Sequence, residues 1–194
     1  MKKNFRGGLK YSLSKQQKGF TLIELLLVVG IMALGAVVAY VTLPKVRSTA
    51  NANSEAASIN TLSAGIKNVY AGSNSYKTLT NKVLIDAKAV PEKMLTGTAN
   101  STELVNSFGG LVTVAPTKLG SNSQNNSSYT ITYNNVPDAE CVKISTGVGN
   151  NFSEVTVNGV KIRQYPTTDP VDPGAASLNC QGQSDSNVII FANQ

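Results

Sequence analysis

Twenty consecutive uncharged residues, LLLVVGIMALGAVVAYVTLP at 25–44, separate Glu24 from Lys45. As a helix such a run rises ~30 Å, the thickness of a bilayer hydrocarbon core. It is apolar all round, whereas a helix lying on a small domain needs only one apolar stripe. Residues 20–44 are therefore expected to span a membrane, not to cover a sheet of the same chain.

The charges on either side set an orientation. Residues 1–19 carry Lys2, Lys3, Arg6, Lys10, Lys15 and Lys18 and no acidic residue, which accounts for the whole formal charge of +6. From Phe20 onward the basic and acidic residues balance. A basic flank before the span predicts that this end stays cytoplasmic and that the rest is delivered to the far side. Because the basic excess is confined to a leader, nucleic acid is not expected as a partner. An ordinary secretory signal would end in small residues just after the apolar run, and AVVAYV at 36–41 is a weak version of such a site.

Glu24 stands at the edge of this run. A carboxylate in apolar surroundings is costly unless paired, and ionisable residues in membrane segments usually serve a function. The blander alternative is a helix-edge carboxylate at headgroup depth.

Beyond the span, one long helix is expected over 20–70, with Gly30 and Gly35 tolerated at some cost in propensity. Pro44 should kink it. After Pro44 the pattern turns amphipathic: Ile59, Leu62, Ile66 and Val69 mark one face, with Asn60, Ser63 and Lys67 off it. This part, 45–70, can cover a sheet. AGSNSY at 71–76 breaks the helix, and 79–91 reads as a short helix stopped before Pro91. Strands are expected at 109–116 and through the alternation of Tyr129, Ile131 and Tyr133. Residues 136–144 read as a helix opened by Pro137, with a strand as the alternative. Asn158-Gly159 between apolar alternations signals a hairpin. YPTTDPVDPGAAS reads as a turn-rich loop, and NVIIFA at 187–192 as a central strand. The sum is α+β: a helix spine on an antiparallel sheet.

Searches for reaction chemistry come back empty. With no histidine, neither a Ser–His–Asp arrangement nor a histidine metal site is available. There is no CxxC, phosphate-binding loop or dinucleotide-binding glycine pattern. Asp169, Asp172 and Asp185 supply oxygen ligands without the regular spacing of a calcium loop. No enzyme activity, metal or cofactor is expected.

The stretch KGFTLIELLLVVGIMALGA resembles the signal and N-terminal helix of type IV pilins. The resemblance implies that a prepilin peptidase cuts after Gly19 on the cytoplasmic side and methylates the new amine of Phe20. It also implies that Glu24, fifth after the cut, is the family's assembly glutamate, meeting the Phe20 amine of a neighbouring subunit. The leader of nineteen residues, and the pieces VPDAECVKISTGVG, CQGQSDSNVIIFANQ and NSFGGLVTV, resemble the type IVb branch, whose subunits commonly begin with methionine where this one would begin with phenylalanine. The implied architecture is a pilin fold: leader 1–19, transmembrane and filament-core helix 20–44, its amphipathic continuation 45–70, and a globular domain 71–194 with a disulfide-bounded C-terminal region. Implied partners are further subunits in a homopolymer, the prepilin peptidase and the inner-membrane assembly machinery. The implied location is the inner membrane before assembly, with the globular domain periplasmic, and an extracellular pilus afterwards. Adhesion, aggregation or mating contact is the implied use, with the surface ligand unknown.

Cys141 and Cys180 are the only cysteines and both fall in the part expected to face an oxidising compartment, so an intramolecular disulfide is expected. Separately buried thiols and an intersubunit bridge are the alternatives. For the function, the alternatives are a minor pilin or secretion-system pseudopilin, and a signal-anchored binding module that does not polymerise.

Overall fold

In a computed structural model of the full chain, residues 19–97, 101–120, 124–167, 169–182 and 185–194 are described, with backbone alone at 38–46. Residues 1–18 of the expected leader 1–19 lie outside the described residues. The chain divides into two units, one ending at Leu43 and the other running Pro44–Gln194.

Helix α1, Leu22–Val69, begins in the first unit and ends in the second. Its assignment continues through Pro44; the side chain of Pro44 lies outside the described residues. Among the described residues no helix is long and apolar enough to cross a membrane. The expected span 20–44 runs into 38–46, whose side chains are outside that set.

Within Pro44–Gln194, α1 presents Ala52, Ile59, Leu62 and Ile66 to the core, the three- and four-residue spacing of a single helix face. Val69, expected on that face, is 38% exposed, and Tyr70 just beyond the helix is buried instead. The aromatic Tyr70 packs on Tyr76, which packs on Tyr129, so a ring chain closes the end of the helix.

The sheet has six strands in the order β1-β2-β3-β6-β4-β5, all pairs antiparallel. They are β1 Leu104–Val105, β2 Leu111–Thr117, β3 Ser128–Val136, β4 Glu154–Val157, β5 Val160–Arg163 and β6 Asn187–Asn193. Alternation puts two apolar rows across its four central strands: Val114, Ile131, Phe191 and Val155 in one, Val112, Tyr133, Ile189 and Val157 in the other. Each row is a line of directly opposed side chains, the unit that stabilises a sheet face. Pro116 is tolerated in β2 because β1 pairs only with Leu111 and Val112, leaving the far end of β2 as an edge.

The hairpin β4–β5 turns at Asn158 and Gly159, both at positive φ (50° and 85°), as a two-residue turn between right-twisted strands requires. Residues 138–148 form helix α3, Asp138–Val148, with Pro137 at its N-cap; Val136, placed in that helix by the sequence reading, belongs to β3.

Two expectations need correction. The helix expected at 79–91 is shorter: α2 is Asn81–Asp86, capped by Thr80, whose side chain accepts from the Val83 N–H. Lys88 then adopts φ 53° and a 3-10 turn comes next at Glu92–Met94. Tertiary contact decides this, because the Ala89 carbonyl lies so close to α1 that a Cβ on Gly65 would overlap it. The segment YPTTDPVDPGAAS is not only loop, for Pro173–Asn179 forms helix α4. Asp172 caps it, accepting from the Gly174 and Ala175 N–H groups at 3.1 and 3.0 Å, and Pro173 sits in the first turn where its missing N–H costs nothing.

Candidate functional site

The opening of α1 is built by local chemistry. Thr21 precedes the helix, and its hydroxyl oxygen accepts from the Glu24 N–H at 3.3 Å while its carbonyl accepts from the Leu25 N–H at 3.1 Å. Thr-x-x-Glu is the spacing of a capping box, and a carboxylate in the first turn also suits the positive end of the helix dipole. That signal is legible in FTLIE, and sequence reasoning missed it.

Behind the cap, α1 is an uncovered apolar cylinder. Phe20 is 81% exposed and Val37 63%, and between them Leu22, Ile23, Leu25, Leu26, Leu27, Val28, Val29, Ile31, Met32 and Leu34 are all exposed. Monomeric soluble proteins rarely show contiguous apolar surface on this scale; it marks contact with lipid or with other protein. Glu24 lies on this cylinder, exposed, and among the described residues no ion pair involves it. The structure thus brings Gly19, Phe20 and Glu24 together at one helix start, with an unpaired carboxylate beside bare apolar surface.

A different glutamate was missed. Glu55, about three turns into the second unit's part of α1, is 1% exposed. Its Oε1 accepts from the Ser107 N–H at 3.3 Å, from the Ser107 hydroxyl, and from the Lys93 ammonium at 3.5 Å. Lys93 also donates to the Ser54 carbonyl and hydroxyl, both at 2.7 Å. From the opposite flank, Lys143 of α3 donates to Ser48 and Thr49 at 2.9 and 3.0 Å. Two lysines and one buried carboxylate therefore fix this stretch of α1 to the domain. Burial raises the pKa of the Tyr133 phenol, and the nearby Glu55 charge adds to the shift. Tyr129, bonded to Ser63 at 2.7 Å, is pushed up to about 12, again chiefly by burial.

Cys141 and Cys180 are joined, with their Cα atoms 5.7 Å apart. The bridge links α3 to the C-cap of α4, so neither the separate thiols nor the intersubunit bond holds. The three aspartates do unrelated local jobs. Asp172 caps α4, Asp185 accepts from the Asp138 N–H at 2.6 Å, and the Asp169 carbonyl accepts from Arg163.

Comparison with known proteins agrees with this geometry. The family model described as PilS N terminal matches residues 49–194, and that of the prokaryotic N-terminal methylation motif matches residues 14–40. The crystal structure of the type IV b pilin from Salmonella typhi is similar at 29% identity, with 72% of this chain and 97% of that chain covered and a TM-score of 0.56. TcpA, a type IV pilin from Vibrio cholerae El Tor biotype, shares the fold at 15% identity, with 76% and 99% covered and a TM-score of 0.56. No curated protein sequence matches. With a methylation motif over its exposed helix start and the PilS model over everything from residue 49 onward, the chain belongs to the PilS family of type IVb pilins and is a structural pilin subunit, not an enzyme.

Proposed function

We propose that the chain is the major subunit of a type IVb pilus, cut between Gly19 and Phe20 by a prepilin peptidase, N-methylated on Phe20, and polymerised through α1. The observation that carries this is the bare apolar surface from Phe20 to Val37 directly behind a capped, unpaired Glu24. Before assembly lipid covers that surface, with 20–44 in the inner membrane and the globular part in the periplasm. In the filament other copies of the same segment cover it. Cutting after Gly19 creates a cationic amine four residues before Glu24, and the Glu24 of one subunit pairs with the Phe20 amine of the next. The pair hides both charges as the helices leave lipid, which removes the cost of burying either alone. Pro44, which has no backbone N–H to donate, is the place in α1 where a kink is expected. Adhesion, aggregation or mating contact is then the work of the exposed domain surface.

The test is the intact mass and N-terminal peptide of protein recovered from sheared surface filaments. We expect a chain starting at N-methylated Phe20, and Gly19→Ala should accumulate precursor in the membrane. A filament protein starting at Met1, or beyond Ala39, overturns the proposal.

A further inference from the structure

Lys67, Lys77 and Lys118 are exposed, and among the described residues none of their ammonium groups enters a hydrogen bond or an ion pair. Lys82, Lys93, Lys143, Lys161 and Arg163, by contrast, are each tied to a neighbour. The three come from separate stretches and meet around Tyr129. Ser63, one turn before Lys67 on α1, shares a hydrogen bond with the Tyr129 hydroxyl at 2.7 Å. Tyr76, beside Lys77, packs on Tyr129 with ring centroids 5.1 Å apart, and its N–H donates to the Asn126 carbonyl at 2.8 Å. Lys118 follows Thr117, which pairs across the ladder with Ser128, the residue before Tyr129. No acidic side chain answers them, because 56–85 and 104–137, the stretches that build this corner, contain none. Asp86, next along the chain, and Glu154, at the same end of the sheet on β4, are already paired with Lys82 and Lys161, each at 2.8 Å.

A surface of one sign with no counter-charge of its own concentrates anions from solution. Lys67 lies in the last turn of α1, where a cation also suits the negative end of the helix. Lys77 and Lys118 stand outside any helix and have no such local reason. The aromatic residues of the corner point away from nucleic acid: Tyr70, Tyr76 and Tyr129 are buried or half-buried and packed on one another, so no open ring is left for a base to stack on. Beside the lysines stand the exposed amides of Asn68 and Asn74, groups that hydrogen-bond hydroxyls. We propose that this corner binds an acidic polysaccharide, with carboxylates spaced along the glycan on Lys67, Lys77 and Lys118 and its hydroxyls on the neighbouring amides. One exposed ion pair contributes little. On the reading that the chain polymerises, each subunit repeats the corner and the contacts add through multivalency; binding by a single subunit does not depend on that reading.

Amide NMR on the full chain in micelles of a neutral detergent tests this without filament assembly, and it reads each residue separately, so the basic residues of 1–19 cannot mimic the result. The probes are trigalacturonate, neutral galactotriose, triglutamate and a short single-stranded oligonucleotide. Trigalacturonate is expected to shift the amides of Lys67, Lys77, Lys118 and their neighbours in a saturable way that weakens as salt is added. The triple variant Lys67→Gln, Lys77→Gln, Lys118→Gln should bind about tenfold more weakly, the change that three exposed ion pairs together supply. The triple variant Lys82→Gln, Lys88→Gln, Lys161→Gln removes the same charge elsewhere and should bind like the parent. All six side chains are exposed, and the Cys141–Cys180 bridge and unshifted core amides confirm folding. The proposal is overturned if trigalacturonate leaves the corner amides unmoved, if galactotriose, triglutamate or the oligonucleotide binds there as well, or if the first variant binds as strongly as the second.

Discussion

Two glutamates of α1 occupy opposite surroundings. Glu24 is exposed and capped only at its backbone, whereas Glu55 is buried and holds Ser107 and Lys93. A carboxylate that contributes nothing to its own domain is free to serve a neighbour. Glu24→Ala is therefore expected to leave cleavage and domain folding intact while lowering filament number, because truncating one partner of a buried pair typically costs about 3–5 kcal/mol. Counting surface filaments on cells with this as the only subunit checks it, and parental numbers would refute it. The tyrosines give a second residue-scale expectation. The folded pKa of Tyr129 stands at about 12, above its ordinary value of 10.0, and that of Tyr133 is also raised. A raised folded pKa means the fold favours the neutral phenol, so this stabilisation is complete below about pH 10 and is lost as pH rises through 12. Thermal unfolding should show a plateau up to about pH 10 and a fall above it, with tyrosinate absorbance appearing late for the buried rings.

The bridge between α3 and α4 matters because α4 has little else to hold it. Only Ala176 of its seven residues is buried, and Leu178 is 75% exposed. Closing a loop with a sequence separation of 39 stabilises by about 4 kcal/mol in the chain-entropy account. Cys180→Ser should leave α1 unaffected, make the C-terminal part of the domain protease-sensitive, and reduce filaments only as a consequence. Limited proteolysis with mass mapping reads this, and cuts should concentrate within 164–186. The elements that were legible in sequence are those with a local reason to exist. β3 announces itself by alternation, β6 by its compact apolar run, and the hairpin by Asn158-Gly159. The proposed assembly segment could be framed from sequence at all because Gly19, Phe20 and Glu24 are neighbours in the chain. β1 is two residues long and has no period to display. α4 hid among Pro166, Pro170 and Pro173, although Asp172-Pro173 is a helix start signal. α2 was cut short by Ala89 meeting Gly65, and the Glu55 cluster joins residues 38 and 52 positions apart. No window of sequence contains such contacts.

At the scale of the whole molecule, the core and the exposed apolar run share no described residues. The buried cluster starts at Ala52, and the exposed apolar run ends its described part at Val37. A chain of residues 44–194 should accordingly fold, form the Cys141–Cys180 bridge and remain monomeric in buffer without detergent. Sedimentation, thiol titration and thermal melting check this, and a fragment that aggregates or leaves free thiols would contradict it. The strand order bears on the order of folding as well as on stability. It places β6, the last seven residues but one, between β3 and β4. Until β6 is in place, β1-β2-β3 and β4-β5 are separate ribbons that share no ladder, and each has an open edge able to pair with the wrong chain. The same order makes β6 the strand on which closure depends: a variant whose β6 cannot pair is left with two unjoined ribbons, a target for proteolysis.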